Sequence, residues 1–262
     1  MSRIFDALQR SGVEQTGVEY PDTVSVATQV FEMPTKEEEA TPSSSLPIFP
    51  SVDVSVGASS RLVVLTEPET LAAEKFRFLG VRMRQLQQTR PVKKVLVTSS
   101  IAEEGKSMVS ANLAAVLASR KRHRVLLIDG DLRRPVLADK FSLGKLNGLA
   151  EWLQGESQAV TNIYHLEQPD FWLMPAGHPP ANPLELMQSG RLSSLMAQVT
   201  NLFDWIIVDS PPLLPLADTT VWQRFADRGQ GGHVCRLQEL LDVGPLSEQQ
   251  RAVPDPFLLK PG

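Results

Sequence analysis

Apolar residues gather along this chain in three short, continuous, β-branched runs, Val95-Leu96-Val97, Val125-Leu126-Leu127-Ile128 and Ile206-Ile207-Val208, with helix-period segments between them. Unbroken apolarity marks strands covered on both faces, and strands that alternate with helices join by right-handed crossovers. The pattern predicts an α/β fold: a doubly wound, mainly parallel sheet with flanking helices. Two more strands are expected at Tyr164 to Leu166 and Phe171 to Met174. Ala150 to Gln154 reads as a short helix, and Leu184 to Leu202 as one or two helices feeding the strand that ends at Asp209. A strand is also expected at Leu62 to Leu65, after which Thr66 as cap and Pro68 in the first turn open a long helix to about Gln88.

The chain ahead of this block has another character. Ile4, Phe5 and Leu8 share one helical face with Ser2 as cap, so a short amphipathic helix, marginal by itself, opens a leader over residues 1–33. Residues 34–60 are rich in Pro, Ser and Glu and lack the apolar density that offsets ordering entropy; they are expected to be a disordered linker. The globular domain is expected over residues 61–228.

Composition narrows the function classes. With 262 residues, 42% of them hydrophobic, the chain holds one α/β domain plus extra segments. The net charge of −4 is carried by the leader and linker: residues 1–60 have three basic and nine acidic side chains, leaving the remainder slightly basic. Arg120-Lys121-Arg122-His123-Arg124 reads as a solvated helix end, and no nucleic-acid partner is expected. Cys235 has no second cysteine to pair with, and neither a signal peptide nor an apolar stretch of membrane-spanning length is present, so a cytoplasmic protein without its own transmembrane segment is expected. His165 and His178 lack a second ligand at metal spacing. Trp152, Phe171, Trp172 and Trp205 sit near apolar runs and read as core.

Three strand ends carry candidate chemistry. The segment Thr98-Ser99-Ser100-Ile101-Ala102-Glu103-Glu104-Gly105-Lys106-Ser107 links a buried strand to a helix. Backbone N–H groups at Ser100, Glu104, Gly105, Lys106, Ser107 and Met108 would wrap a phosphate, with Lys106 between β and γ oxygens and the Ser107 hydroxyl on Mg²⁺. Gly105 lets the backbone approach the phosphate, while Ser100 stands where the first glycine of this P-loop motif usually lies. Asp129-Gly130-Asp131-Leu132-Arg133 and Asp209-Ser210-Pro211-Pro212 end the other two runs, at the edge where open α/β sheets bind ligands. Carboxylates there can hold Mg²⁺, directly or through water, and one nearby can accept a proton from an attacking hydroxyl. The cofactors expected are ATP and Mg²⁺, with Ser107, Asp129 and Asp209 at the metal.

Lys106-Ser107, Asp129-x-Asp131-x-Arg133-Arg134-Pro135 and Asp209-Ser210-Pro211-Pro212 together resemble the bacterial protein-tyrosine kinases of capsule and exopolysaccharide assembly, of the CpsD/CapB type, over roughly residues 60–228. The opening Met1-Ser2-Arg3-Ile4-Phe5-Asp6-Ala7-Leu8 is similar to leaders of exopolysaccharide-locus members. The resemblance implies a P-loop NTPase fold, phosphoryl transfer from MgATP to tyrosine, and catalytic roles for Lys106, Asp131 as proton acceptor, and Arg133 in positioning phosphate or acceptor groups. It further implies a membrane partner, the polysaccharide co-polymerase that governs chain length, homo-oligomerisation, and a peripheral place at the inner membrane face through that partner. Two alternatives stay open: a non-catalytic nucleotide-sensing regulator of the export machinery, and a septum- or plasmid-positioning ATPase.

Four departures from the family pattern bear on activity. Glu103 stands where a small residue, often glycine, is usual, and its charge is expected to weaken ATP affinity. Glu74-x-x-Arg77-x-x-Gly80 resembles an interface motif that would end in arginine. After Arg228 the family's next buried strand is not foreseen, so the sheet is expected to be incomplete at the C-terminus and residues 229–262 a poorly ordered tail with little beyond a helix at Leu237 to Leu241; the break resembles a truncation or frameshift. Only Tyr20 and Tyr164 occur, which leaves no C-terminal tyrosine cluster, so autophosphorylation in the family's manner is not expected; Tyr20 reads as an inert linker tyrosine, with substitute acceptor as the alternative.

Overall fold

The structure, a computed structural model, describes residues 47–57, 60–89, 92–119, 123–213, 218–226 and 232–236. The leader helix, Tyr20 and the helix expected at Leu237 to Leu241 lie outside the described residues. Seven strands, β1 (Ser51–Val52), β2 (Lys94–Thr98), β3 (Val125–Asp129), β4 (Tyr164–Leu166), β5 (Phe171–Met174), β6 (Trp205–Asp209) and β7 (Gly232–Arg236), form one sheet. Their order is β1-β4-β5-β3-β6-β2-β7. Every pairing is parallel except β4 with β5, where a tight connection reverses the chain. The expected doubly wound, mainly parallel sheet is therefore present.

Strands β2, β3 and β6 are buried at every position, and alternation along each explains why. Val95, Val97, Val125, Leu127 and Ile207 point to one face, under helices α1 (Val63–Thr66), α2 (Leu71–Thr89) and α3 (Lys106–Ala118). Leu96, Leu126, Ile128, Ile206 and Val208 point to the other. That face is covered by α5 (Leu149–Gln154), α6 (Pro183–Gln188), α7 (Gly190–Leu202) and α8 (Asp218–Ala226); α4 (Leu137–Lys140) follows the loop after β3. Helix α3 is buried almost all round, a helix caught between sheet and α2, which is why its sequence is apolar without an amphipathic stripe.

Three expectations are corrected. Leu62 to Leu65 lies in and around a helical turn, not a strand. Asn112 of α3 accepts a hydrogen bond from the Val64 N–H (3.1 Å) through Oδ1, and its Nδ2 donates to the carbonyls of Arg61 (3.0 Å) and Met108 (2.8 Å), fixing the turn on the helix surface. The long helix then starts at Leu71, capped by the Thr70 hydroxyl, which accepts from the Ala73 N–H at 3.3 Å, rather than by Thr66. Secondly, the end of the expected linker is part of the fold: β1 adds to β4, and Phe49 packs against Trp172 and Phe203. Thirdly, a strand does follow residue 228. β7 pairs in parallel with β2 at the sheet edge, from Lys94 opposite Gly232 to Thr98 opposite Arg236, so the sheet is not left incomplete beside β2.

Gly80 also reads differently in three dimensions. A Cβ there would collide with the Val116 side chain of α3, so α2 and α3 touch backbone to side chain at this point. The position faces the core, not an outside partner.

Candidate functional site

The loop after β2 enters α3 through Gly105, whose φ of 99° belongs to the left-handed region. Glu103 has φ 65° and carries a side chain in that same region, a conformation that costs on the order of 1 kcal/mol. A glycine at this position would remove both the strain and the charge. Glu104 folds back, its Oε2 accepting from the N–H of Ser100 at 3.1 Å and of Ile101 at 3.5 Å. Those amides therefore face a carboxylate of the chain itself. Lys106 is buried at the first turn of α3 beside Ser107.

β3 and β6 run side by side in register, Asp129 opposite Asp209, and both carboxylates are fully buried. Asp129 accepts three backbone N–H groups: Asp131 on Oδ1 (3.3 Å), Val136 and Leu137 on Oδ2 (3.2 and 3.0 Å). It thereby shapes the loop between β3 and α4. Burial and the facing Asp209 charge push its carboxyl up to about 8, against the pull of those amides. Asp209 accepts from the Ser110 hydroxyl at 3.2 Å through Oδ1, while its Oδ2 is buried without a hydrogen-bonding partner. Burial pushes this carboxyl up to about 6, with the nearby Ser107 hydroxyl and Lys106 favouring the charged form.

The residues after Asp209 are pinned. Ser210 Oγ donates to the Val97 carbonyl (3.1 Å), and Thr98 and Thr219 hydroxyls donate to the Pro211 carbonyl (3.2 and 2.8 Å). A Cβ on Gly130 would lie 2.8 Å from the Trp222 ring and 2.9 Å from the Asp209 carbonyl, so only glycine fits between β3 and α8.

Asp131 accepts from the N–H groups of Arg133 (3.3 Å) and Arg134 (3.1 Å), a side-chain-closed turn. Burial raises its pKa, opposed by the Arg134 amide and Lys106. Arg133 lines the cleft while held by Asp218: its Nε donates to Asp218 Oδ2 at 2.5 Å and a terminal nitrogen to Oδ1 at 3.3 Å. Asp218, buried at the first turn of α8, was not singled out from the sequence. An Asp ahead of a helix is an ordinary capping signal, and its partner lies 85 residues away.

A cleft of about 620 Å³ opens at these strand ends. It is lined by the phosphate-type loop and first turn of α3, by the segment from Asp131 to Val136, and by Arg61, Lys140 and Pro212. The sequence reading had not marked Arg61, Val136, Lys140 or Pro212 as lining. Of the candidate residues, Gly105, Lys106, Ser107, Met108, Asp131 and Arg133 reach the cleft. Asp129 and Asp209 are buried behind its lining; Ser100 and Glu104 hold the loop.

The donor set suits a hydrated divalent ion shared with phosphates: one unpartnered buried carboxylate oxygen, an adjacent hydroxyl and a second carboxylate across the strands. Among the described residues no cluster of three or more His, Cys, Asp or Glu side chains could hold an ion alone, so an ion there would need oxygens from its ligand. No helix among the described residues is long and apolar enough to cross a membrane.

A family profile described as the CobQ/CobB/MinD/ParA nucleotide binding domain matches residues 95–243. Tyrosine-protein kinase YwqD of Bacillus subtilis (strain 168) is 32% identical over 166 residues, which cover 63% of this chain and 70% of YwqD. Tyrosine-protein kinase ptk of Acinetobacter johnsonii is 31% identical over 191 residues; the match covers 69% of this chain and 26% of ptk, so the chain spans about a quarter of that relative. Among solved structures, the kinase domain of Escherichia coli tyrosine kinase ETK aligns with a TM-score of 0.60 and 27% identity, covering 71% of this chain and 68% of that one.

Proposed function

We propose a phosphoryl-transfer role, starting from the premise that this chain belongs to the CobQ/CobB/MinD/ParA nucleotide-binding family and is a homologue of the bacterial tyrosine-protein kinases. In this reading the chain binds MgATP and passes its γ-phosphoryl group to a tyrosine in the control of exopolysaccharide or capsule chain length. The observation that carries it is the buried, unpartnered Oδ2 of Asp209, set opposite Asp129 and beside Ser107 where three strand ends meet.

The amides from Gly105 to Met108 and the Lys106 ammonium orient the phosphates. Ser107 and Asp209 would hold a magnesium ion, with Asp129 keeping the following loop in place; such an ion would supply charge neutralisation for the bound phosphates. Asp131 takes the phenolic proton. Arg133, tied to Asp218, acts as a strut for the loop carrying Asp131 rather than as a phosphate ligand. A membrane chain-length protein is the proposed partner, bringing a cytoplasmic chain to the inner membrane face, with self-assembly into a homo-oligomer.

A second reading, a nucleotide-sensing regulator that transfers nothing, is favoured by Glu103 at positive φ and by the engagement of Arg133 with Asp218. Label transfer from γ-labelled ATP to protein tyrosine separates the two. The kinase reading expects incorporation that Lys106→Ala and Asp131→Asn reduce by at least about a hundredfold. Nucleotide binding by calorimetry with no label on tyrosine selects the sensor.

A further inference from the structure

Two lysines reach the cleft from opposite flanks of Asp209. The sheet order sets β6 between β3 and β2. Asp209, at the end of β6, therefore has Lys106 on one flank, in the helix that follows β2, and Lys140 on the other, in the helix that follows β3. Both side chains line the cleft, and each is attracted by the Asp209 carboxylate. Lys106 is accounted for by the phosphate loop. Lys140 is not.

The Lys140 ammonium is loosely held. Its Nζ donates to the Ser60 carbonyl at 3.4 Å, beyond the usual range of an N–H to oxygen bond. Burial lowers its pKa, the Asp209 carboxylate draws it back up, and Arg61 pushes it down. Among the described residues Lys140 forms no direct ion pair with Asp209 or with any other carboxylate. Attraction without contact leaves a gap between the ammonium and the buried carboxylate, and that gap belongs to the cleft.

The chemistry of the site says what fits there. The loop after β2 wraps the phosphates, and the ion position at Ser107 and Asp209 lies one strand further on, where a metal joins β and γ oxygens. The terminal phosphate, on the far side of the β-phosphate from the nucleoside, then lies toward β6 and β3, the flank of Lys140. With Asp209 Oδ2 engaged by the ion, the carboxylate's pull on Lys140 weakens, and the terminal phosphate oxygens take its place. A lysine suits them: three donors on a compact charge at the end of a flexible stem. A nucleoside diphosphate offers Lys140 nothing.

We propose that Lys140 is the residue by which this chain tells a nucleoside triphosphate from a diphosphate, its ammonium closing on the terminal phosphate from the flank opposite Lys106. The proposal rests on the MgATP site of the function proposed above, and it needs no phosphoryl transfer.

The test is titration calorimetry on the full chain with Mg²⁺, using ADP and the non-hydrolysable β,γ-imido analogue of ATP. Lys140→Met is expected to weaken binding of the triphosphate analogue about tenfold and to leave ADP within about twofold of the unaltered chain. Lys140→Arg, which keeps the charge, is expected to retain most of the preference for the triphosphate. The ADP affinity serves as the control for folding, and Lys140→Gln, which loses the charge but keeps a polar side chain, repeats the measurement in a milder variant. Equal weakening of both nucleotides, or no change in either, overturns the role of Lys140 and leaves the nucleotide site standing. An unaltered chain that binds neither nucleotide sinks the nucleotide-binding reading, and the role of Lys140 with it.

Discussion

The back of the cleft and its lip are built on opposite terms. Behind the lining, Asp129, Asp209, Ser110 and Gly130 are buried, and their positions are over-determined by strand register, three backbone amides and the Trp222 ring. At the lip, Glu103 is exposed in a left-handed conformation and Glu104 covers the Ser100 and Ile101 amides. The buried part fixes where chemistry can happen. The lip sets how easily an anion gets there, because each change at Glu103 or Glu104 alters charge and loop geometry with little effect on the core.

The contrast is tested hardest by pH. The Asp129 carboxyl, raised to about 8 in the folded chain, binds a proton more tightly folded than unfolded. The stability it contributes is therefore fully present below the unfolded pKa near 4 and is lost as pH rises through 8. In metal-free protein, chemical denaturation is expected to show stability falling steadily as pH rises through this range. Asp209→Asn, which removes the facing charge, should flatten the profile; an unchanged slope would mean the two carboxylates do not sense each other.

Next in size is Gly130→Ala. Its Cβ would press on Trp222 and the Asp209 carbonyl, with an expected cost of about 2 kcal/mol in urea denaturation. A neutral result would show that α8 moves aside freely. At the lip, Glu103→Gly is expected to gain about 1 kcal/mol by releasing the strained φ and to tighten nucleotide binding in calorimetry. If affinity stays level, the Glu103 carboxylate points away from the phosphates. Smallest is Glu104→Ala, whose exposed bonds to two amides are worth about 0.5 kcal/mol in the same denaturation assay; a larger loss would place the lip among the rigid parts.

Legibility in the sequence follows the same division. Val95 to Val97, Val125 to Ile128 and Ile206 to Val208 were readable because double-sided burial demands unbroken apolarity. Leu62 to Leu65 has the same look, yet Asn112, some fifty residues on, supplies the hydrogen bonds that turn it into a helix. β7 was missed for the opposite reason: an edge strand is held by main-chain bonds to β2, which leave little apolar signature in Gly-His-Val-Cys-Arg. The glycine, lysine and aspartates of the site stand at strand ends and could be marked one at a time. Arg61 and Lys140 reach the cleft only through folding, and the Arg133–Asp218 pair joins residues with no pattern between them.

Gly80 gives the outer helix a mechanical meaning. With no side chain to act as a spacer, the backbone of α2 rests on the Val116 side chain near the end of α3. One valine therefore sets how closely the two helices approach there, and any residue larger than glycine at position 80 would wedge them apart.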